Sequence, residues 1–418
     1  MGPLFHVLLA MLVIVICARA IGALFARIGQ PPVLGEVMAG LLLGPSFLGQ
    51  ISPEAQAFVL PPSVAPSLGM ISQIGVVLFM FLVGMELDTT ALKERKRASM
   101  LISNFSVLVP FTLGVGLGLL LFERYATPGV EKLPFVLFLG AAMSVTAFPV
   151  LARIVKDSGL SKEPIGVVAL TCAAVDDVSA WCLLAFASSA VSGSIGAAIA
   201  TVALTAVLIA ATLLVGRPLL MKAIASLEAS GEPIGRSAVA YALGALLLMA
   251  MIAEGIGIHA VFGAFLAGLI VPHDSKLAKA LKEKLEDVVV IVFLPPFFAY
   301  SGMRTQLGLV SGAEAWLWTL AIIAVASLGK FGGTVTAARW TGLSWKDSAS
   351  LGLLMNTRGL VELVVLNIGL DLKIISPQVF AMMVLMALTT TFATPPLLRW
   401  VRRPHATVPV PAPSTLRR

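Results

Sequence analysis

Long apolar runs, each cut off by a short polar or basic segment, repeat along the whole chain. Thirteen of them approach or reach the length a helix needs to cross about 30 Å of hydrocarbon. They cover residues 4–27, 33–50, 69–87, 98–122, 134–156, 164–191, 194–216, 234–254, 256–272, 287–303, 313–338, 347–369 and 376–400, and are numbered here as spans 1 to 13. The pattern predicts an all-α polytopic membrane protein, with several spans short or broken. Composition supports this and removes the alternatives. Of 418 residues, 58% are hydrophobic and 12% charged, about half the charge expected of a soluble protein. No polar stretch is long enough for a globular domain, and collagen, disorder and disulfide scaffolds fall with it. Cys17, Cys172 and Cys182 all sit inside apolar runs and are expected to pack as small hydrophobes.

The formal net charge of +7 invites a reading as nucleic-acid binding, but the placement of the charges gives a different account. Connections after odd-numbered spans carry Arg27, then Lys93, Arg95, Lys96 and Arg97, then Arg153, Lys156 and Lys162, then Arg217, Lys222 and Arg236. The same series continues with Lys276, Lys279, Lys282 and Lys284, Arg339 and Lys346, and in the tail Arg399, Arg402, Arg403, Arg417 and Arg418. The even connections hold Arg124, Lys132, Arg304 and Lys373. By the positive-inside rule the odd loops and the C-terminus are cytoplasmic and the N-terminus lies outside, with some attraction to anionic lipid. A bacterial inner membrane is the expected location. Span 1 lacks a basic n-region and is too long for an h-region, so it reads as a retained helix. The segment 402–418 reads as a disordered tail with no soluble domain after it. No phosphate loop, Cys/His metal cluster or nucleophile elbow is present in the sequence, and Asn104-Phe105-Ser106, a glycosylation match, lies within a span. Neither a cofactor nor a nucleic-acid partner is therefore expected, nor an enzymatic activity.

Two spans are interrupted in matching places. Span 5 contains Ser144-Val145-Thr146-Ala147-Phe148-Pro149, where Pro149 cannot donate to the Val145 carbonyl and biases Phe148 away from helix. Span 12 contains Met355-Asn356-Thr357-Arg358-Gly359, a cluster of poor helix formers ending in glycine. Seven spans separate them, so they cross the membrane in opposite directions. An inverted repeat follows, spans 1–6 against 8–13 with span 7 as linker, and paired interruptions of this kind point to a transport site. Two unrelated kinks filled by neighbours are the plainer alternative.

Charge is placed at the same depth. Span 6 reads Val175-Asp176-Asp177-Val178, with Asp177 roughly 20 Å from the cytoplasmic start of its span at about 1.5 Å per residue. Thr146, Lys330 and Asn356 fall roughly 12–15 Å into theirs. Two aspartates and a lysine at mid-membrane together cost on the order of 8–10 kcal/mol even on a lenient insertion scale. Adjacent helix residues point about 100° apart, so Asp176 and Asp177 are expected to have different tasks, one paired with Lys330 and the other facing water. Arg358 and Glu362 are spaced as an i, i+4 pair. Glu36, Glu86, Glu254, His259 and Arg19 read as packing or interface residues.

Burial makes a carboxylate hold its proton and a neighbouring cation loosens it, so a proton and an alkali cation can compete for one site. Oxygens from Asp177, Asp176, Thr146 and Ser144, with carbonyls freed at the breaks, suit Na⁺, Li⁺ or K⁺ as transported ions. If only the loaded site crosses, the result is proton-coupled cation antiport.

At this point the residues resemble a known family. Gly29-Gln30-Pro31-Pro32-Val33-Leu34-Gly35-Glu36, Gly84-Met85-Glu86-Leu87-Asp88, the Ser144–Arg153 segment, the aspartate pair and Asn356-Thr357-Arg358-Gly359-Leu360-Val361-Glu362-Leu363 are similar to the second monovalent cation:proton antiporter family. That family includes bacterial sodium/proton antiporters, Kef-type potassium efflux proteins and plant cation/proton exchangers. The resemblance implies a homodimer in which residues 1–97 and 234–305 form a scaffold, 98–191 and 306–401 a moving core, and 192–233 a linker. It implies that Asp177 carries the cation or proton, that Asp176 pairs with Lys330, and that Thr146 and Asn356 lie where the broken spans cross. Kef-type members usually carry glutamine in place of Asp176 and a nucleotide-binding domain not found in this chain, which favours a sodium/proton type with an elevator-like cycle. The lysine resembles that of electrogenic members, and Arg304 also has basic counterparts. The runner-up is a K⁺/H⁺ exchanger or K⁺ efflux protein on the same fold. An intramembrane aspartyl protease needs its two aspartates on separate helices, which adjacent Asp176 and Asp177 do not satisfy.

Overall fold

The computed structural model describes residues 2–86, 96–161, 163–189, 195–229 and 234–403. Asp88, Lys93, Arg95, Lys162, part of the linker and the tail from residue 404 lie outside them. Every regular element described is helical. Two longer helices, α1 (Pro3–Arg27) and α2 (Pro32–Leu43), are followed by the short turns α3 (Leu48–Ile51) and α4 (Pro53–Val59) and then by α5 (Ala65–Glu86) and α6 (Lys96–Tyr125). Next come α7 (Lys132–Ser144), α8 (Phe148–Asp157), α9 (Pro164–Ser189), α10 (Ile195–Ala211), α11 (Arg217–Ala229) and α12 (Arg236–Ile256). The series closes with α13 (Ala260–Leu269), α14 (Lys276–Val288), α15 (Leu294–Arg304), α16 (Gly312–Trp340), α17 (Trp345–Met355), α18 (Leu360–Asp371) and α19 (Pro377–Arg402).

Among the described residues, eleven helical segments are long and apolar enough to cross a membrane, and α17 with α18, bent by 42°, makes a twelfth. Span 9 needs correction. Only Ala260–Leu269 is helical, about 15 Å of rise and half a bilayer. Gly257 ends α12 in the left-handed region at φ 91°, and the His259 ring accepts the Val261 N–H at 3.4 Å to start α13. The lysines from Lys276 to Lys284 are also not in a loop. They ride on amphipathic α14, which continues into α15 through a π-helical turn, Val289–Phe293. That turn immediately precedes Pro295 and Pro296, and a second one, Thr212–Gly216, immediately precedes Pro218. Prolines lack the N–H that an unbroken α-register needs, and the wider turn accommodates the loss.

The helices pack in two groups. In one, α1 lies on α2, α15 on α2 and α5, and α13 on α5 and α12. In the other, α6 packs on α7, α9 and α16, and α16 on α17 and α19. Contacts from α10 reach α9 in one group and α12 in the other. Seams of the first group close backbone to backbone. A methyl at Gly302 would overlap Gly40 across α15 and α2, and one at Gly84 or Gly268 would overlap the facing chain across α5 and α13, the close approach small residues allow between membrane helices. Between the groups, on the side bearing the odd-numbered connections, lies a cavity of about 940 Å³. Arg153, His273 and Lys279 mark its mouth, and Phe148, Pro149 and Leu360 line it where the broken helices restart. At the opposite end α15 is stitched to α18. Arg304 donates to Asp371 at 2.6 Å and to Asn367 at 3.0 Å, and Asn367 donates to Ser301 at 2.8 Å.

Candidate functional site: the crossing of two broken helices

Span 5 breaks between α7 and α8 and span 12 between α17 and α18, and the two breaks meet. The Ala147 N–H donates to the Thr357 carbonyl at 3.0 Å, so the extended pieces satisfy each other where no water is needed. Pro149 lies in the first turn of α8, a position where its missing N–H costs nothing. Gly359 is required by close approach, since a side chain there would press within 2.6 Å of Val150. Thr391 of α19 braces the second break, accepting the Arg358 N–H at 2.8 Å and donating to the Arg358 carbonyl at 2.7 Å.

The C-terminal carbonyls of α7 carry the negative end of a helix dipole into the protein interior. Two cations answer it. Arg358 donates to the carbonyls of Ala142 at 3.0 Å, Met143 at 2.5 Å and Val145 at 3.2 Å, and pairs with Glu362 at 2.7 Å. The Val145 carbonyl is the one Pro149 leaves without a helical donor. From α16, Lys330 takes the Ser144 carbonyl at 2.5 Å and Asp176 at 2.8 Å. Arg358, Glu362, Lys330 and Asp176 are all fully buried.

The two aspartates differ sharply. Asp176 accepts from Lys330, from Thr146 at 2.9 Å, and from Ser103 and Ser106 at 2.6 and 2.8 Å. Asp177 is equally buried, yet neither of its carboxyl oxygens has a hydrogen-bond partner among the described residues. The amide oxygen of Asn356 and the hydroxyl of Thr357, in the break after α17, are likewise without partners, and α17 packs against α9. Hard oxygens of this kind, with a carboxylate among them, match an alkali cation better than a transition metal. No group of three His, Cys, Asp or Glu side chains among the described residues could hold a resident metal.

Of the residues singled out in the sequence, Asp176, Thr146 and Lys330 are joined directly, and Arg358 in the break pairs with Glu362 in the first turn of α18. Ser144 takes a different part from the one expected. Its hydroxyl turns back to the carbonyls of Gly140 and Val107 at 2.9 and 3.1 Å, and its carbonyl faces Lys330. The sequence reading missed Ser103 and Ser106 of α6. Their i, i+3 spacing on one face of span 4 was the available signal, and Ser106 stood there as part of a glycosylation match. Glu86 pairs with Lys282 at 2.6 Å and Glu254 accepts the Ala260 N–H at 2.8 Å, structural tasks as expected.

Unwound backbone enclosed by protein at membrane depth, beside buried and unequal carboxylates, defines a membrane transporter. The chain belongs to the sodium/hydrogen exchanger family, whose transmembrane model matches residues 10–401. It is 42% identical to the Na⁺/H⁺ antiporter NhaS4 of Synechocystis, over 95% of this chain and 97% of that one. It is 40% identical to cation/H⁺ antiporter 17 of Arabidopsis thaliana and 36% identical to K⁺/H⁺ antiporter 1 of Saccharomyces cerevisiae, over 96% and 94% of this chain. The chain spans about half the length of those plant and yeast relatives, 50% and 46%. Among solved structures, the sodium proton antiporter MjNhaP1 from Methanocaldococcus jannaschii superposes with a TM-score of 0.70 at 16% identity, covering 95% of this chain and 97% of that one, which establishes the shared fold.

Proposed function

We propose that this chain exchanges Na⁺, with Li⁺ as a congener, for protons, and that Asp177 carries either one in turn. The observation that supports this is the inequality of the aspartates: Asp176 is saturated by a lysine and three hydroxyls, whereas Asp177, equally buried, has no partner among the described residues. A buried carboxylate without a partner is costly, and a proton or a bound cation relieves that cost. In this reading the group around α5, α13 and α15 is a scaffold and the group around α7, α9, α16 and α17 a core that moves against it. The cavity on the basic-loop side and the Arg304 stitch at the other end support an inward-open position in an elevator-like cycle. We place the N-terminus outside and the C-terminus inside a bacterial inner membrane, and expect a homodimer, with the exposed apolar residues of α1 and α12, such as Leu8, Leu12 and Met251, facing lipid or a second copy. The yeast relative named for K⁺ keeps K⁺/H⁺ exchange as the second reading.

Dissipation of a preset ΔpH in proteoliposomes on adding NaCl, LiCl or KCl tests both. Sodium or lithium should collapse the gradient in wild type and not in Asp177→Asn, while Asp177→Asn melts no lower than wild type because no bond to that carboxyl is lost. Lower pH should raise the sodium concentration needed, since the proton occupies the same oxygens. A response to KCl alone would select the second reading, and full activity in Asp177→Asn would overturn both.

A further inference from the structure

Glu36 of α2 stands apart from the other acids around the 940 Å³ cavity. Those at its mouth are already engaged: Glu86 holds Lys282 at 2.6 Å, with Glu286 at 3.8 Å from the same ammonium, and Arg153 is held by Asp157 at 2.9 Å. Glu36 is 93% buried, being 7% exposed, and makes neither a hydrogen bond nor an ion pair to any described residue. Arg19 of α1 lines the same cavity and makes no ion pair with Glu36. Its helix turns Val33 and Glu36, one turn apart, into the same cavity, whose inner part reaches Phe148 and Leu360, the residues at which α8 and α18 begin. A largely buried carboxylate without a protein partner favours a proton or a cation, and here both can come through the cavity.

Resting on the antiport reading above, we propose that Glu36 is a second cation-binding site, a staging carboxylate that holds a monovalent cation in the cytoplasmic vestibule before it passes to Asp177. It lies on a different helix group from Asp177 and so belongs to one face of the membrane. Its effect is therefore sided. Loss of the carboxylate weakens capture from the cytoplasm and leaves capture from outside alone, a pattern that a general loss of stability does not produce.

The test uses the full chain in everted and right-side-out vesicles, with NaCl as the probe and ΔpH dissipation as the readout. In Glu36→Gln the half-saturating Na⁺ at the cytoplasmic face should rise about five- to tenfold, as expected for one lost charge contact in a wet site. The value at the outer face should stay within about twofold, and Glu36→Asp should recover most of the loss. An equal change at both faces, or none, overturns the proposal. So does recovery of Glu36→Gln by adding Arg19→Gln, which would make Glu36 merely the counter-charge of Arg19. Direct Na⁺ binding to the detergent-solubilised chain separates this proposal from the antiport reading. Asp177→Asn should still bind Na⁺ weakly, and Asp177→Asn with Glu36→Gln should bind none. Absence of exchange in wild type would refute antiport, whereas absence of binding in Asp177→Asn refutes the Glu36 site.

Discussion

Two ion pairs share the crossing, both fully buried, and they do opposite things with the same chemistry. Arg358, in the break just before α18, pairs with Glu362 in the first turn of that helix, and its guanidinium also donates to the carbonyls of Ala142, Met143 and Val145 where α7 ends. That pair holds the break open by neutralising a helix end. Lys330 and Asp176 come from helices 154 residues apart in the chain, and three hydroxyls complete the carboxylate. This second pair saturates Asp176, while the neighbouring Asp177 has no hydrogen-bond partner among the described residues. A buried pair in a transporter can thus be scaffolding for backbone or a filter that leaves one acid free, and the difference is read from where the cation's other bonds go.

The comparison breaks most visibly at Arg358. Arg358→Ala strands a carboxylate and three carbonyls, and removing one partner of a buried pair costs about 3–5 kcal/mol. The variant should therefore fail to give a monodisperse peak in detergent. Arg358→Lys should recover part of the loss, since an ammonium lacks the planar fork. A melting temperature for Arg358→Ala near that of wild type would remove the backbone-capping role. Lys330→Ala should cost somewhat less, about 3 kcal/mol, because Asp176 keeps its three hydroxyl donors. Adding Asp176→Asn should return much of that stability, and a double-mutant cycle on thermal melts reads the coupling directly. Additive losses would mean that the two residues do not depend on each other. The smallest effects belong to Ser103→Ala and Ser106→Ala, about 1.5 kcal/mol each, the low end for a hydrogen bond to a charged group because Asp176 keeps its other donors. Sodium-driven ΔpH dissipation should persist in both variants, and its loss would mean the serines touch the transported ion.

Much of this was legible in the chain because intramembrane charge and proline leave few innocent explanations. Asp176, Asp177 and Lys330 stood out by depth alone, and Pro149 located the first break to the residue. The second break, lacking proline, was weaker in sequence but no less real, because Thr391 of α19 holds the Arg358 backbone from outside and the Arg358 guanidinium ties the break to the end of α7. What the chain could not display is the set of partners brought in by folding. Ser103 and Ser106 reach Asp176 across 73 and 70 residues, and their i, i+3 spacing says that they share a face but not what that face meets. The direction of the Ser144 hydroxyl was not legible for a related reason: a residue ending a helix can donate to its own preceding turn, and the sequence does not show which way the proton points. Span 9 looked long enough because Gly257 and Pro272 fall inside an apolar run whose hydropathy is indifferent to the left-handed turn that cuts it short.

The glycine seams of the first helix group have a mechanical consequence. Where backbones touch, as between α2 and α15 or α5 and α13, no side chains intervene to yield, and one helix cannot roll past the other without atoms overlapping. These four helices therefore behave as one stiff plate. Compliance is left to the cavity wall, where Val33, Phe79 and Val290 meet open space instead of a facing backbone. A methyl added to the plate at Gly40 or Gly302 acts as a wedge between two backbones, whereas an equal change along the cavity wall meets open space.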